Sequence, residues 1–234
     1  MKVSSRSAVT AAESERLRRK IELVLPELGE ASRRLILDAR IADLYPEFLF
    51  TLHCVIRASV PLMETARKRA GELAAEDQVS AALAPYFDEH IPEERDHDEW
   101  LLDDLEVVGK DRSSILTRPP SPTVAAAVGA QYYWILHYHP VALLGYIAVL
   151  EGYPPTIELL NDLADRTGYS RAAFRTLMAH AELDPGHRDE LDMLLDGLSL
   201  TQEQSTVMGL SAISSVQILA RAIDELRDGF DGDQ

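Results

Sequence analysis

Apolar residues recur at helical spacing along almost the whole chain, and no stretch alternates apolar and polar positions for long enough to build a sheet. That property restricts the expected fold to an all-α bundle. Residues 11–28 and LILDARIADLYPEFLFTLHCVIRAS carry the first pattern, with a kink expected at Pro46. A helix from Pro61 to about Glu76 follows, then AALAPYFDEH, then EERDHDEWLLDDLEVVG, which stops at Gly109. The RPPSPT stretch at 118–123 is the clearest break, but the same helical grammar lies on both sides, so it reads as a loop inside one domain. Beyond it VAAAVGAQYYWILHYHPVALLGYIAVLEG is nearly uncharged and should be buried, with a kink at Pro140. Pro154 and Pro155 restart a shorter helix, Ser170 is placed to cap RAAFRTLMAH, and Thr201 with Gln204 forms a capping box for a last helix through about Arg227. The expectation is a single domain over residues 1–234, with flexible ends at 1–10 and 229–234.

Charge and composition then exclude several functions. With 39 acidic against 23 basic side chains the formal charge is -16, a field that repels phosphate backbones, so no nucleic-acid partner is expected. Cys54 is the only cysteine, which leaves neither an intramolecular disulfide nor a cysteine-based zinc cluster. MKVSSRSAVTAAESERLRRK carries charges where a signal peptide needs an apolar core, and VALLGYIAVL at 141–150 is about half a membrane span. A cytoplasmic protein without a membrane partner is expected. No GxGxxG loop or Walker sequence is present, so nucleotide binding has no local support.

Chemistry concentrates in HAELDPGH, where Asp184 lies four residues after His180 and three before His187. On a continuous helix all three face one side. Pro185 complicates this, because Asp184 can also cap a new helix with Pro185 at its first position, which would bend the geometry. HIPEERDH repeats the spacing with His90, Glu94 and His97, although EERDHDE also fits a solvated acidic face. Glu151 closes the apolar run. Together these residues offer four imidazoles and up to three carboxylates, a mixture that suits iron or another transition metal in a two-metal bundle site better than an oxygen-only magnesium site.

Other candidates are less specific. Tyr133, Trp134, His137 and Tyr138 in YYWILHYHP are taken as substrate-pocket residues, with core packing as the rival account. Arg57, Arg171 and Arg175 offer partners for a substrate carboxylate, and solvated helix positions explain them equally well. His53 and Cys54 read as buried structural residues, and Gly145 as a close helix contact.

H90-IPEERD-H97, the following EWLLDDLEVVG, HPVALLGYIAVLEG and H180-AEL-D184-PG-H187 make the chain resemble the heme-oxygenase-like diiron oxidases, the iron-containing redox enzymes, over about residues 86–195. The resemblance implies a compact heme-oxygenase-like bundle of about seven helices that binds two Fe(II) ions and takes dioxygen as co-substrate. Its metal ligands, and hence its catalytic residues, would be His90, His97, Glu151, His180, Asp184 and His187. His90 stands where the family usually has an acidic residue, so either His90 or nearby Glu94 would complete the first iron site. The implied activity is oxidation of a small organic substrate, such as an amino acid or amine-bearing metabolite, by C–H oxidation, C–C cleavage, N-oxygenation or nitrile formation, with an electron donor as partner. A homodimer is a reasonable assembly, although no sequence face marks its interface. Two rival functions are a cofactor-free or thiaminase-like enzyme on the same fold and a non-catalytic helical scaffold.

Overall fold

The computed structural model describes residues 11–231. The expected flexible segment 1–10 lies outside the described residues, as does the end of the expected C-terminal tail beyond Asp231. Among the described residues there is no strand, and turns divide the bundle into eleven α-helices and one 3-10 turn. These are α1 (Glu13–Leu37), α2 (Ile41–Ile56), α3 (Ser59–Leu73), α4 (Gln78–Glu94), α5 (His97–Val107) and α6 (Arg112–Thr117). After them come α7 (Pro122–His137), α8 (Ala142–Leu150), α9 (Ile157–Thr167), the 3-10 turn (Arg171–Phe174), α10 (Arg175–Gly197) and α11 (Gln202–Asp231).

Breaks fall where local chemistry ends a helix. Asp38 accepts hydrogen bonds from the Arg40 backbone and guanidinium, which turns the chain between α1 and α2, while Pro46 sits inside α2. Pro140 ends the α7 region outright, because α8 starts only at Ala142. The expected capping box is present: Thr201 N–H donates to Gln204 Oε1 at 2.9 Å and Gln204 N–H to Thr201 Oγ1 at 3.2 Å. Ser170 precedes a 3-10 turn rather than α10 and makes no side-chain cap.

The apolar segment of α8 is buried from Ala142 to Val149. It lies so close to α11 that a Cβ on Gly145 would stand 2.2 Å from the Met208 carbonyl oxygen, so only glycine fits there. Lys20 meets Ser205 and Arg34 meets Asp224, so α1 and α11 run in the same direction. Among the described residues α11 is the one helix long and apolar enough to cross a membrane by length and composition; in this fold it packs against α1, α7 and α8.

One carboxylate fastens the far end of α4 to the bundle. Asp77 caps α4 by accepting from Ser80 N–H at 2.6 Å, and it also accepts from His139 Nε2 at 3.0 Å and Gln204 Nε2 at 3.1 Å. His139 Nδ1 accepts from Val141 N–H, which leaves the proton on Nε2. Burial opposes the Asp77 charge, but the hydrogen bonds from Ser80, His139 and Gln204 outweigh it and hold its pKa at about 2. Asp77→Ala is expected to lower stability by ~1–2 kcal/mol, the cost of a lost helix cap, seen as a fall in Tm. The stability linked to this group is complete above its ordinary pKa of 3.8 and is lost as the pH falls through about 2, so the variant should be less acid-sensitive than the parent. An unchanged Tm would show that the junction is dispensable.

Candidate metal centre

Four helices deliver the polar residues. His90 and Glu94 sit one turn apart on α4, which ends at Glu94. Arg95 is extended and Asp96 is left-handed with φ 68°, the one non-glycine with positive φ among the described residues. This two-residue corner starts α5 at His97 and brings His97 Nδ1 to 3.2 Å from Glu94 Oε2. Glu151 stands at the C-terminal cap of α8 and is buried. His180, Asp184 and His187 lie along α10.

The rival helix corner at Pro185 does not form, because α10 continues from Arg175 to Gly197 with Pro185 inside it. Proline inside a helix costs about 3 kcal/mol. Burial of Leu177, Leu191 and Leu195 along the same helix offsets that loss and keeps the helix whole. The start of α10 is pinned by Asp104 of α5, a buried carboxylate that accepts from Thr176 N–H at 3.0 Å.

Two overlapping groups of potential ligand atoms result, each within 4.8 Å of one another: His90, Glu94, Glu151 and His187, and Glu94, His97 and His180. Glu94 belongs to both. The imidazoles form two crossed pairs, His90 with His187 at 5.0 Å between centroids and His97 with His180 at 4.9 Å. Asp184 joins neither group at that separation, but its carboxyl feels the Glu151 and Glu94 charges.

Neighbouring atoms fix which nitrogens face inward. His180 Nδ1 donates to the Thr176 carbonyl at 2.9 Å, leaving Nε2 for the centre. His90 Nδ1 contacts Glu93 at 3.3 Å while Nε2 contacts Glu151 at 3.1 Å. Tyr86 stacks on His90 and Trp100 lies against His97. Sequence reading missed Glu93, Tyr86 and Thr176 as supports, although Tyr86 and Thr176 each lie four residues before their histidine, the ordinary helical neighbour spacing.

Ten buried side-chain nitrogen or oxygen atoms among the described residues lack a hydrogen-bond partner, and four of them cluster here: Glu94 Oε1, Glu151 Oε2, Asp184 Oδ1 and His187 Nδ1. Each such atom costs ~1–3 kcal/mol unless something satisfies it. Imidazoles and carboxylates left unpaired at one spot fit a transition-metal centre.

The charges tell the same story. Burial pushes the Asp184 carboxyl up to about 8, helped by the Glu151 and Glu94 carboxylates, and burial likewise raises Glu151. Burial would lower His90, but the hydrogen bond and charge of Glu151 override it and raise its pKa to about 9.

The aromatic pocket expectation needs correction. Helix α7 buries Val124, Ala127, Gln131 and Ile135, which puts Tyr133 and His137 on the opposite side. Tyr133, His137 and Tyr138 are exposed and pack on one another, while Trp134 lies partly buried against the core. None belongs to the grouped ligand atoms. Arg171 and Arg175 are paired at the surface with Asp165 and Asp103, and His53 and Cys54 are buried in α2.

Comparison with known proteins identifies the family and the fold. The family model described as iron-containing redox enzyme matches residues 53–213, more than half of the chain and a span that includes every grouped residue. The chain belongs to that family. Its structure is similar to a domain of unknown function with a heme oxygenase-like fold from Shewanella denitrificans OS217, with TM-score 0.82 and 17% identity over 96% of this chain and 95% of that one. It is also similar to a TenA homolog from Pseudomonas syringae pv. tomato str. DC3000, with TM-score 0.63 and 9% identity over 88% of this chain and 92% of that one. At these identities the likeness shows the heme oxygenase-like fold alone. No curated protein matches the chain in sequence.

In the presence of a chelator, stability is expected to fall as the pH rises from 6.5 to about 9. The folded pKa of His90 lies above its ordinary 6.5, so the stability contributed by its proton is complete below 6.5 and lost above about 9. Asp184 acts in the same direction: the folded state keeps a proton that the unfolded chain releases near 3.8, so stability declines up to about 8. Urea midpoints measured at the two ends of that window should differ, and equal midpoints would contradict the charge balance described.

Proposed function

We propose that the chain is a non-heme diiron oxidase or oxygenase that uses dioxygen to oxidise a small organic substrate. The observation that carries this reading is Glu94, a buried carboxylate shared by two separate histidine pairs. His90, Glu94, Glu151 and His187 would hold one ion, and Glu94, His97 and His180 the other, with Asp184 beside both. Ferrous iron, when bound, supplies electrons for dioxygen reduction. The chain's own contribution is to fix the donor atoms. Thr176 sets the His180 tautomer, Glu93 orients His90, and the Tyr86 and Trp100 rings shield the imidazoles from water. The Asp184 carboxyl holds a proton at neutral pH in the absence of metal, so binding a cation releases it.

An amino acid or amine-bearing metabolite is the favoured substrate class. The half-exposed Glu93 carboxylate stands beside His90 and His187, where it suits a cationic group better than an anionic one. An external electron donor completes the turnover. A metal-free, thiaminase-like enzyme has less support, because it would leave four buried polar atoms unsatisfied at one place.

Anaerobic Fe(II) titration should give two ions per chain, followed by substrate-dependent oxidation when dioxygen is added with a panel of amino acids and amines. His180→Ala should abolish one binding step, and Glu94→Ala should weaken both, because it removes the shared donor. Absence of specific iron binding with and without the panel would sink the diiron reading.

A further inference from the structure

Glu151 reaches the centre from the C-terminal end of a helix, where the last carbonyls have no partners within the helix. Here one guanidinium supplies a partner to such a carbonyl, and a second holds the turn just beyond the helix. Arg18 of α1, only 6% exposed, donates through Nη1 to the Ala148 carbonyl at 2.9 Å. Its Nε and Nη2 both donate to Asp192 Oδ1, at 3.1 and 2.9 Å. Arg188 of α10 donates to the Gly152 carbonyl at 3.3 Å, and both guanidiniums flank the Tyr153 ring at 5.9 Å. A cation at the C-terminal end of a helix is favourable, but burying one is not an efficient route to stability, because a well-packed apolar residue does as well.

Gly152 shows how closely the parts fit. A Cβ there would lie 2.3 Å from Arg18 Nη1 and 2.2 Å from the Ala148 carbonyl oxygen. Its φ is outside the left-handed range, so space and not backbone conformation demands glycine. Arg188 and Asp192 also belong to α10, the helix that carries His187, whose Nδ1 lies 3.9 Å from Glu151 Oε2. The same contacts therefore fix Glu151 relative to His187.

We propose that Arg18, Asp192, Arg188 and Gly152 form a clamp that positions Glu151, and so set metal affinity at the His90, Glu94, Glu151 and His187 half of the centre. This inference rests on the metal-centre reading. Arg18, Asp192 and Gly152 are positioning residues and touch none of the grouped donor atoms except through the Glu151 turn.

The test is anaerobic Co(II) titration of the full chain, followed by its visible absorption, for the parent, Gly152→Ala and Arg18→Lys. Outer supports of metal ligands are worth about 10–100-fold in affinity. Each variant should weaken one of two Co(II) steps by about that factor and change the spectrum of that step, while the other step keeps its affinity and spectrum. Arg18→Lys retains the charge and leaves Gly152 in place, so it answers the question if the alanine variant fails to fold. Parent-like affinity and spectra in a folded variant would overturn the clamp alone, as would equal weakening of both steps, the mark of a loosened fold. No Co(II) binding by the parent would overturn the metal-centre reading, and the clamp with it.

Discussion

Three carboxylates, Glu94, Glu151 and Asp184, are buried where they feel one another's charge, and the structure around them is organised to tolerate this. Like charges in a poorly solvated space repel strongly. Without a cation the chain relieves the repulsion with protons, one on Asp184 and one on His90, both of which hold them well above their ordinary range. A divalent cation would do the same work with directed bonds and would satisfy the orphaned oxygens as well. Asp104 at the head of α10 and Asp77 at the far end of α4 hold the ligand helices in place from outside the centre.

Helix geometry explains why the centre divides in two. His180 and His187 are seven residues apart, roughly 10 Å along an unbroken helix at its usual rise. They cannot reach one point, and each pairs with a different histidine from the α4–α5 corner. Glu94 lies between the two pairs because it is the last residue of α4 before the chain turns at Asp96. Had α4 continued, His97 would remain on the same rod as His90, and the crossed arrangement would be lost.

Periodicity made the helical fold legible in the sequence, and the Thr201–Gln204 cap could be read directly because both partners are local. The one-sided array of His180, Asp184 and His187 was legible for the same reason, but whether Pro185 broke it depended on how much of that side is buried, a tertiary fact. The central place of Glu94 was not legible. It depends on a left-handed Asp96, and aspartate is only moderately inclined to that conformation. The aromatic residues of α7 misled because one sequence gives the composition of a helix but not the side it turns to its neighbours; small and aliphatic Val124, Ala127 and Ile135 won the buried side.

The two groups are unequal, and the inequality bears on reactivity under the proposed reading. Four residues converge on the Glu151 side and three on the His97–His180 side. A cation with fewer protein donors keeps more positions open to small ligands, whereas a fuller set serves retention. The Arg18 and Arg188 contacts reinforce the fuller side, by holding the turn that carries Glu151. The sparser side is fixed by the tautomer of His180 and by the Glu94–His97 contact across the corner. Rigidity is thus spent on one half of the centre, and the half with room for chemistry depends on a two-residue turn whose geometry the shared carboxylate helps to set.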